Sequence, residues 1–328
     1  MESSLDKSRM RDILEDFPNQ VREASKLGQQ LRITEPINKV VIAGVGGSGS
    51  VGDVVTSLLR YEHILVTAIK EYALPLWVNE TTLVFIVTYS GDTPETLSMY
   101  AEALRRKAQV VIITSGGKIR SAAMDGNAKV ISVPKGLPPR LSLAYLFFPI
   151  INILESSGLI KNYVRDAEML LQTLAKNNYA AKAEELAMKL KNTIPIIYSG
   201  PKMAAAAQRW KIAFNENAKA HAFTSTLPEA AHNEIVAYEH LTGNFHAIFL
   251  RDEKEHRNIQ KQFDFMKEFL KGKGVHVTEI ALKGESQLNK MFSAIHLGDW
   301  TSYFLALMHE VDPTPTRAIE EMRAYVTK

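Results

Sequence analysis

Two short segments of the chain combine glycines with hydroxyl side chains, and each follows an apolar run: VVIAGVGGSGSVGD and LVFIVTYSGDTPETL. Glycine lets backbone amides approach a ligand closely, and the helix N-terminus that such a loop opens directs unpaired N–H groups at it. Hydroxyls add further donors for phosphate oxygens without adding charge. The first segment carries Gly44, Gly46, Gly47, Ser48, Gly49 and Ser50, and the second carries Thr88, Ser90, Gly91, Asp92, Thr93 and Thr96. Two such loops at the ends of neighbouring strands predict a binding site for one phosphorylated small molecule.

The first segment also matches the dinucleotide-binding fingerprint. Its glycines have the spacing Gly44-x-Gly46-x-x-Gly49, and Glu71 stands 22 residues further on, where an acid that binds ribose is expected. A dinucleotide site, however, gives no reason for the hydroxyls of the second segment. Ordinary strand-to-helix turns are a third interpretation, because Gly, Ser and Thr cap helices in many proteins. Two such loops together favour ligand binding over turn chemistry alone.

The second half of the chain carries two further candidates in RWKIAFNENAKAHAFTSTLPEAAHNEI. A helix predicted over 203–218 places Glu216 on a flank of its apolar stripe, near the helix C-terminus, where it is either a solvated glutamate or a general base. His232 is either a structural histidine or a functional one. Glu229 and His232 have the E-x-x-H spacing of some metal sites, but a di-metal site needs a second copy of this motif, so we expect no metal.

An arginine in the first half is another candidate. Arg140 follows a predicted strand and two prolines in KGLPPRLSL. The prolines fix the backbone before it, so this arginine is a candidate clamp for an anion. The alternative is a surface arginine in a stiff loop.

Apolar strands alternate with helical segments along both halves of the chain. Strands are predicted at 39–44, 63–69, 82–88, 109–114 and 129–133, and again at 193–200, 221–226, 245–252 and 275–282. This order is typical of doubly wound parallel sheets with helices on both faces, and we predict an α/β protein with two such domains. The predicted divisions are an N-terminal helical segment 1–37, a first domain 38–158, a helical bridge 159–192 and a second domain 193–328.

The composition excludes several classes of protein. The 328 residues include 39 basic and 36 acidic side chains, which are dispersed and give a formal charge of +3, so neither nucleic acid nor a membrane surface is expected as a partner. The chain has no cysteine, which excludes thiolate catalysis and cysteine-ligated metals. The charged N-terminus is unlike a signal peptide, and the longest apolar run, LAYLFFPIINIL, is too short for a membrane span. We expect a cytoplasmic protein without a cofactor.

Several motifs occur in the same order as in one known family. GVGGSGSVGD, TYSGDTPETL, TSGGKI, the Pro-Arg of PPRLSL, FNENAK, LPEAAHNEI and DPTPTRAI resemble the archaeal bifunctional phosphoglucose/phosphomannose isomerases, from about residue 38 to the C-terminus. That family belongs to the phosphoglucose isomerase superfamily and consists of two sugar isomerase (SIS) domains with a flavodoxin-like fold. FNENAK together with LPEAAHN at this separation is specific to the family, whereas the hydroxyl loop alone indicates only some SIS domain.

The resemblance implies a role for each matching residue. Glu216 corresponds to the base that moves a proton between C1 and C2 of the open-chain sugar. His232 corresponds to the histidine that opens the sugar ring, which in the family comes from the neighbouring subunit of a homodimer, and Arg140 to the arginine that stabilises the enediol. Thr316 corresponds to a threonine associated with accepting mannose 6-phosphate, and it equally suits the cap of the last predicted helix. The phosphate-binding positions correspond to Gly47, Ser48, Thr88, Ser90 and Thr93.

A few positions depart from the family pattern. Thr88 stands where serine is frequent, which keeps the hydroxyl. Asp92 stands where asparagine is frequent and adds a negative charge beside the predicted phosphate. The segment before His232 reads Ala-Ala-His instead of carrying a double histidine.

The resemblance therefore implies a metal-independent aldose–ketose isomerase that interconverts glucose 6-phosphate and mannose 6-phosphate with fructose 6-phosphate through an enediol. Its partners would be the sugar phosphate and a second copy of the chain that shares the active sites. The alternatives are a non-catalytic SIS regulator that binds a sugar phosphate and a dinucleotide-dependent enzyme.

Overall fold

The computed structural model describes residues 4–125 and 128–326 of the chain. The chain divides into two compact units. The first unit comprises Asp16–Lys176 and Ser286–Asn289, and the second comprises Met1–Glu15, Asn177–Glu285 and Lys290–Lys328. The second unit therefore combines pieces from both ends of the chain.

Nine strands and twelve α-helices are assigned within the described residues. The strands are β1 Lys39–Ala43, β2 Leu65–Ile69, β3 Thr82–Val87, β4 Gln109–Thr114, β5 Lys129–Ser132, β6 Ile194–Ser199, β7 Phe223–Thr226, β8 Phe245–Asp252 and β9 His276–Leu282. The helices are α1 Met10–Glu15, α2 Phe17–Ala24, α3 Gly46–Leu58, α4 Pro94–Arg105, α5 Lys118–Asp125, α6 Leu143–Ser156, α7 Val164–Lys176, α8 Tyr179–Leu190, α9 Ala204–Glu216, α10 Arg257–Gly272, α11 Gln287–Met308 and α12 Arg317–Val326. Short 3-10 helices occur at Pro139–Leu141, Pro201–Met203, Glu229–His232 and Glu234–Glu239.

The first unit contains a five-stranded sheet in the order β2-β1-β3-β4-β5, with all neighbouring strands parallel. This is the strand order of the flavodoxin-like fold. The central strand β3 is buried along its whole length, because a parallel sheet covered on both faces leaves no side of the strand to solvent. Its unbroken apolar sequence TLVFIV fits that position.

Helix α6 explains the longest apolar run of the chain. Its residues from Leu143 to Leu154 are all buried. The polar member of this run, Asn152, donates hydrogen bonds from Nδ2 to the carbonyls of Ser25 (2.9 Å) and Leu27 (2.7 Å). The amide is therefore paired inside the core, as buried polar groups require. Among the described residues, no helix has both the length and the apolar character needed to cross a membrane.

The second unit contains a four-stranded parallel sheet in the order β7-β6-β8-β9. Helix α10 belongs to its core through one buried stripe, Ile259, Phe263, Met266 and Leu270, which has the spacing of a helix face. Phe263 packs against Phe249 of β8 with ring centroids 5.1 Å apart. The two sheets thus repeat the same strand–helix order around separate cores.

The predicted fold class is confirmed: the chain has two α/β units with parallel sheets, and each predicted strand lies within two residues of an observed one. The stretch predicted as a single bridge, 159–192, contains two helices, α7 and α8. Asn178 separates them and caps α8, since its side-chain oxygen accepts from the Ala181 N–H (3.1 Å).

Candidate functional site

Both hydroxyl loops lie at the point of the first sheet where the strand order reverses. Strands β1 and β3 are paired in parallel, and Gly44–Gly49 follows β1 while Thr88–Thr93 follows β3. Ligands of open α/β sheets bind outside the carboxyl ends of the strands at this reversal. The loops open α3 and α4, so two helix N-termini point their N–H groups to the same end of the sheet.

Two hydroxyls of the second loop, those of Thr88 and Ser90, lie beside the hydroxyl of Thr93. The Thr88 hydroxyl donates to the Thr93 hydroxyl (3.4 Å), and Ser90 Oγ also lies 3.4 Å from it. The N–H of Gly91 donates to Thr88 Oγ1 (3.2 Å). Thr88 is buried while Ser90 is exposed. The turn is therefore organised by its own hydroxyls, which remain grouped at the start of α4.

Tyr89 connects the two loops and the segment that leads to Arg140. Its backbone N–H donates to Ser48 Oγ in the first loop (3.1 Å). Its hydroxyl donates to the Pro134 carbonyl (2.7 Å) and accepts from the Leu137 N–H (2.9 Å). Burial raises the pKa of the Tyr89 phenol, so the hydroxyl stays protonated and keeps both bonds.

Close packing at Gly47 brings the Arg140 segment against the first loop. A Cβ atom at Gly47 would lie 2.7 Å from the Arg140 backbone nitrogen and 2.8 Å from its Cα, distances that only glycine allows. Arg140 lies in the 3-10 helix Pro139–Leu141 and is 5% exposed. The structure therefore brings together six predicted residues of the first unit: Gly47, Ser48, Thr88, Ser90, Thr93 and Arg140.

Asp92, the acid that departs from the family pattern, has a structural partner. Its Oδ1 accepts from the backbone N–H of Lys118 (2.9 Å) at the start of α5. A carboxylate at a helix N-terminus is favoured by the helix dipole and by the unpaired N–H groups there. Gly91 permits this arrangement, because it has a φ of +79° and a Cβ at this position would lie 1.7 Å from the Gly116 carbonyl oxygen. The partner is 26 residues away, so no local motif predicted it.

In the second unit, Glu216 and Thr316 line the same cavity. Glu216 is the last residue of α9, and the predicted apolar stripe of this helix is buried while Glu216 is partly exposed. The cavity has a volume of 880 Å³. Its remaining lining residues are Lys7, Lys211, Asn215, Lys219, Ala220, His221, Ala222, Phe223, Val311, Asp312, Pro315, Arg317, Ala318 and Ile319.

Polar contacts hold α9 along α11. The Trp210 indole N–H donates to the Ala294 carbonyl (2.7 Å), and the Asn217 amide just beyond Glu216 donates to Ser302 Oγ (2.9 Å). A buried ion pair joins Arg209 and Asp299 at 3.3 Å. Since these groups lie in the interior, removing one of them costs its neighbour a buried hydrogen bond. The end of α9, and with it Glu216, is therefore firmly placed.

Thr316 occupies the position directly before α12. Its backbone carbonyl accepts from the N–H groups of Ile319 (2.9 Å) and Glu320 (3.2 Å), the first bonds of the helix. The same residue lines the cavity of Glu216. The start of a helix and a wall of the cavity thus coincide at this threonine.

His232 lies elsewhere on the second unit. It ends the 3-10 helix Glu229–His232, is exposed and is not among the residues that line the cavity of Glu216. Glu229 accepts a hydrogen bond from Asn233 (2.7 Å). Within the part of the chain that the structure describes, no group of three or more His, Asp or Glu side chains is placed to hold a metal.

Sequence reasoning missed the charged residues around Glu216. Four basic side chains line its cavity, against the carboxylates of Glu216 and Asp312: Lys7, Lys211, Lys219 and Arg317. Their positive field favours anions in the cavity. Lys211 and Asn215 lie one turn apart on α9, so the sequence could have predicted that they share a helix face. Lys7 lies at the other end of the chain, and no spacing could have connected it with Glu216.

Comparison with known proteins gives a family match and a structural match. The family described as bacterial phospho-glucose isomerase C-terminal SIS domain matches residues 180–326. The C-terminal domain of glucosamine-fructose-6-phosphate aminotransferase from Francisella tularensis has a similar fold, with a TM-score of 0.74 and 13% identity over 95% of this chain and 100% of that chain. At this identity the match shows the fold alone.

Two relatives extend over almost the whole chain. It is 35% identical to a bifunctional phosphoglucose/phosphomannose isomerase of the bacterium Caldicellulosiruptor bescii, over 94% of this chain and 96% of that protein. It is 31% identical to a protein of the same name from the archaeon Thermoplasma acidophilum, over 90% of this chain and 91% of that protein. Describing the resemblance as archaeal was therefore too narrow.

The close contact at Gly47 gives a prediction on stability. Gly47→Ala inserts a methyl group where the Arg140 backbone already lies, so we expect it to lower the free energy of unfolding by about 1–3 kcal/mol in urea titrations, the usual cost of overpacking. Gly272→Ala is the control, because a Cβ there meets no atom within 4 Å. Equal stability of the two variants would contradict the packing described here.

Proposed function

The chain belongs to the family of bifunctional phosphoglucose/phosphomannose isomerases, and from that premise we propose that it interconverts glucose 6-phosphate and mannose 6-phosphate with fructose 6-phosphate. Membership of the family makes it a sugar-phosphate isomerase; the choice of these substrates is the proposal. The observation that carries it is the cavity shared by Glu216 and Thr316, the two positions that match the family's base and its threonine. A carboxylate beside basic side chains suits proton transfer on an anionic substrate.

We further propose that the hydroxyl loops of the first unit hold the substrate phosphate. Support comes from the grouped hydroxyls at two helix N-termini beside a close-packed glycine. A phosphate held away from the reacting carbons supplies binding energy that orients C1 and C2 for reaction. The residues proposed for this role are Gly47, Ser48, Thr88, Ser90 and Thr93.

The proposed chemistry is a proton shuttle through an enediol. The Glu216 carboxylate takes the proton from C2 of the open-chain aldose while O1 gains a proton, which gives the enediol. The protonated Glu216 then returns its proton to C1 while O2 loses a proton, and the ketose carbonyl forms at C2. The reaction moves protons between neighbouring carbons and needs no redox cofactor. Negative charge develops on oxygen along this path, and Arg140 is proposed to stabilise it.

Thr316 is proposed to permit both epimers. Glucose 6-phosphate and mannose 6-phosphate differ only at C2, so they give the same enediol if the C2 region can turn within the site. A large side chain that held the C2 hydroxyl would prevent this rotation, whereas a threonine leaves space for it. Its position in the wall of the Glu216 cavity supports the proposal.

His232 is proposed to open the sugar ring in the active site of a second subunit. The support is that it is exposed and outside the cavity that contains Glu216 of its own chain. A homodimer in which each chain lends this histidine to the other would complete both sites. Without a second subunit, the exposure of this histidine would not indicate a function.

A coupled enzyme assay tests the substrates directly. We expect both glucose 6-phosphate and mannose 6-phosphate to be formed from fructose 6-phosphate, and we expect activity to persist after exhaustive chelation with EDTA. Strict dependence on a divalent metal would overturn the metal-free mechanism. If the chain does not form mannose 6-phosphate, only the proposed interconversion of glucose 6-phosphate with fructose 6-phosphate remains. An inactive protein whose fluorescence changes saturably with NADH would instead favour the dinucleotide alternative.

Glu216→Gln tests the general base. The amide keeps the size of the side chain but cannot take a proton, so we expect kcat to fall by about 10²–10⁴-fold with little change in substrate affinity. Exchange of the C2 hydrogen with solvent, followed by NMR in D2O, should fall in parallel. Glu268→Gln on the exposed face of α10 is the matched control. Undiminished exchange in the Glu216 variant would assign the base to another residue.

His232→Ala tests ring opening and subunit sharing. We expect a strong loss with glucose 6-phosphate and nearly normal turnover of 5-deoxyfructose 6-phosphate, which lacks the hydroxyl that closes the ring. His240→Ala, another exposed histidine of the same segment, is the control. Mixing Glu216→Gln chains with His232→Ala chains should restore part of the activity through sites assembled from both. Equal losses on the two substrates would indicate a structural histidine.

A further inference from the structure

We propose that Lys219 is a positioning residue that joins the end of the helix carrying Glu216 to the segment carrying Thr316. Its effect on catalysis rests on the proposed function of these two residues. The lysine lines their cavity but is assigned no contact with the substrate here. Its role is to keep two walls of the cavity at a set distance from each other.

The side chain of Lys219 connects two backbone carbonyls. Its Nζ donates to the carbonyl of Glu216 itself (2.7 Å) and to the carbonyl of Pro313 (3.2 Å). The first carbonyl belongs to the last residue of α9. The second lies three residues before Thr316. One ammonium group therefore links the backbone of the base directly to the chain that leads into α12.

The backbone of Lys219 holds a conformation that is uncommon for lysine. Its φ is +53°, in the left-handed region that glycine adopts most readily. Bonds around the turn hold it there: the Ala220 N–H donates to the Phe214 carbonyl (3.1 Å), and Asn215 Nδ2 donates to the Ala220 carbonyl (2.8 Å). Glycine would fit this backbone with less strain, but glycine has no ammonium group to reach the two carbonyls.

Electrostatics at the end of α9 favour the same contact. The last carbonyls of a helix carry its negative end and have no partner within the helix, so a cation there is stabilising. Lysine near a helix C-terminus commonly donates to these carbonyls. Here the same cation also reaches a carbonyl outside the helix, which converts a local cap into a link between two segments.

The Thr316 segment leads into a helix, α12, that lies at the surface. Helix α12 has no buried residue among those that the structure describes. Upstream, the Thr314 N–H donates to Asp312 Oδ1 (3.0 Å), which organises the turn but not its distance from α9. His309 Nδ1 lies 3.1 Å from the Ala218 carbonyl and connects only the end of α11. The bond from Lys219 to Pro313 joins the end of α9 to the segment that leads to Thr316, and in the proposal it helps to set the distance between them.

Three variants test this role. Lys219→Met keeps the stem of the side chain and removes the donors, and Lys219→Arg keeps charge and donors. Lys107→Met is the matched control, since Lys107 is also an exposed lysine just beyond a helix, with a φ of +57°. Steady-state kinetics on both sugar phosphates are combined with hydrogen–deuterium exchange of peptides that cover residues 310–318. If the Met variant does not fold, Lys219→Gly takes its place in both measurements, because glycine fits the positive φ and has no side-chain donor.

Lys219→Met should lower kcat by about 10- to 100-fold with little change in KM, because a shift of about 1 Å at a reacting group has effects of this size. Exchange at 310–318 should rise in this variant, Lys219→Arg should recover most of the lost kcat, and Lys107→Met should match the wild type. An unchanged kcat, a rise in KM alone, or a loss that arginine does not rescue would overturn the proposal.

Hydrogen exchange separates a chain that lacks isomerase activity from a Lys219 that lacks a positioning role. If the wild-type chain does not isomerise sugar phosphates, the hydrogen-exchange measurement still decides about Lys219. Faster exchange at 310–318 in the Met variant, restored by arginine, supports the link without reference to activity. Exchange identical to that of the wild type overturns it.

Discussion

Strand β1 pairs in parallel with β3, from Lys39 opposite Thr82 to Ala43 opposite Ile86, and this register brings two strand ends to the same level. Each strand then continues into a loop that opens a helix. Without this pairing, the bond from the Tyr89 N–H to Ser48 Oγ could not form, and the two hydroxyl loops would not share one crevice. The arrangement of the first unit follows from the strand order of the sheet more than from any single side chain.

The glycines of these loops allow one backbone segment to pack directly against another. At Gly47 the neighbour is the Arg140 segment, and at Gly91 it is the Gly116 carbonyl. Gly116 follows β4 and the Arg140 segment comes after β5, so each contact packs a loop from another strand against the crevice. A long-range contact also accommodates the charge of Asp92: its carboxylate accepts the Lys118 N–H at the start of α5, where the helix dipole stabilises it. A negative side chain can therefore stand beside a proposed phosphate site.

The strands, the two loops and the helix of Glu216 could be predicted because their signals are local. Apolar runs of four to eight residues, a glycine after a strand and a 3.6-residue stripe all lie within one window of sequence. Other features depend on distant residues. Lys7 joins the cavity of Glu216 from the other end of the chain, and Asp92 finds its partner at Lys118. The left-handed backbone of Lys219 has no sequence signal either, since lysine does not favour it.

Glu216 stands where helix physics opposes a carboxylate. At the C-terminus of α9 the helix dipole disfavours negative charge by about 0.3–1 kcal/mol at an exposed position. Around it, Lys211, Lys219 and Arg317 supply positive charge, and Lys219 engages the carbonyl of Glu216 directly. The cost of the position is thus offset by cations that line the same cavity. These cations would also attract an anionic substrate and oppose the negative charge of the proposed enediolate, so one set of side chains can stabilise both the proposed base and the proposed intermediate.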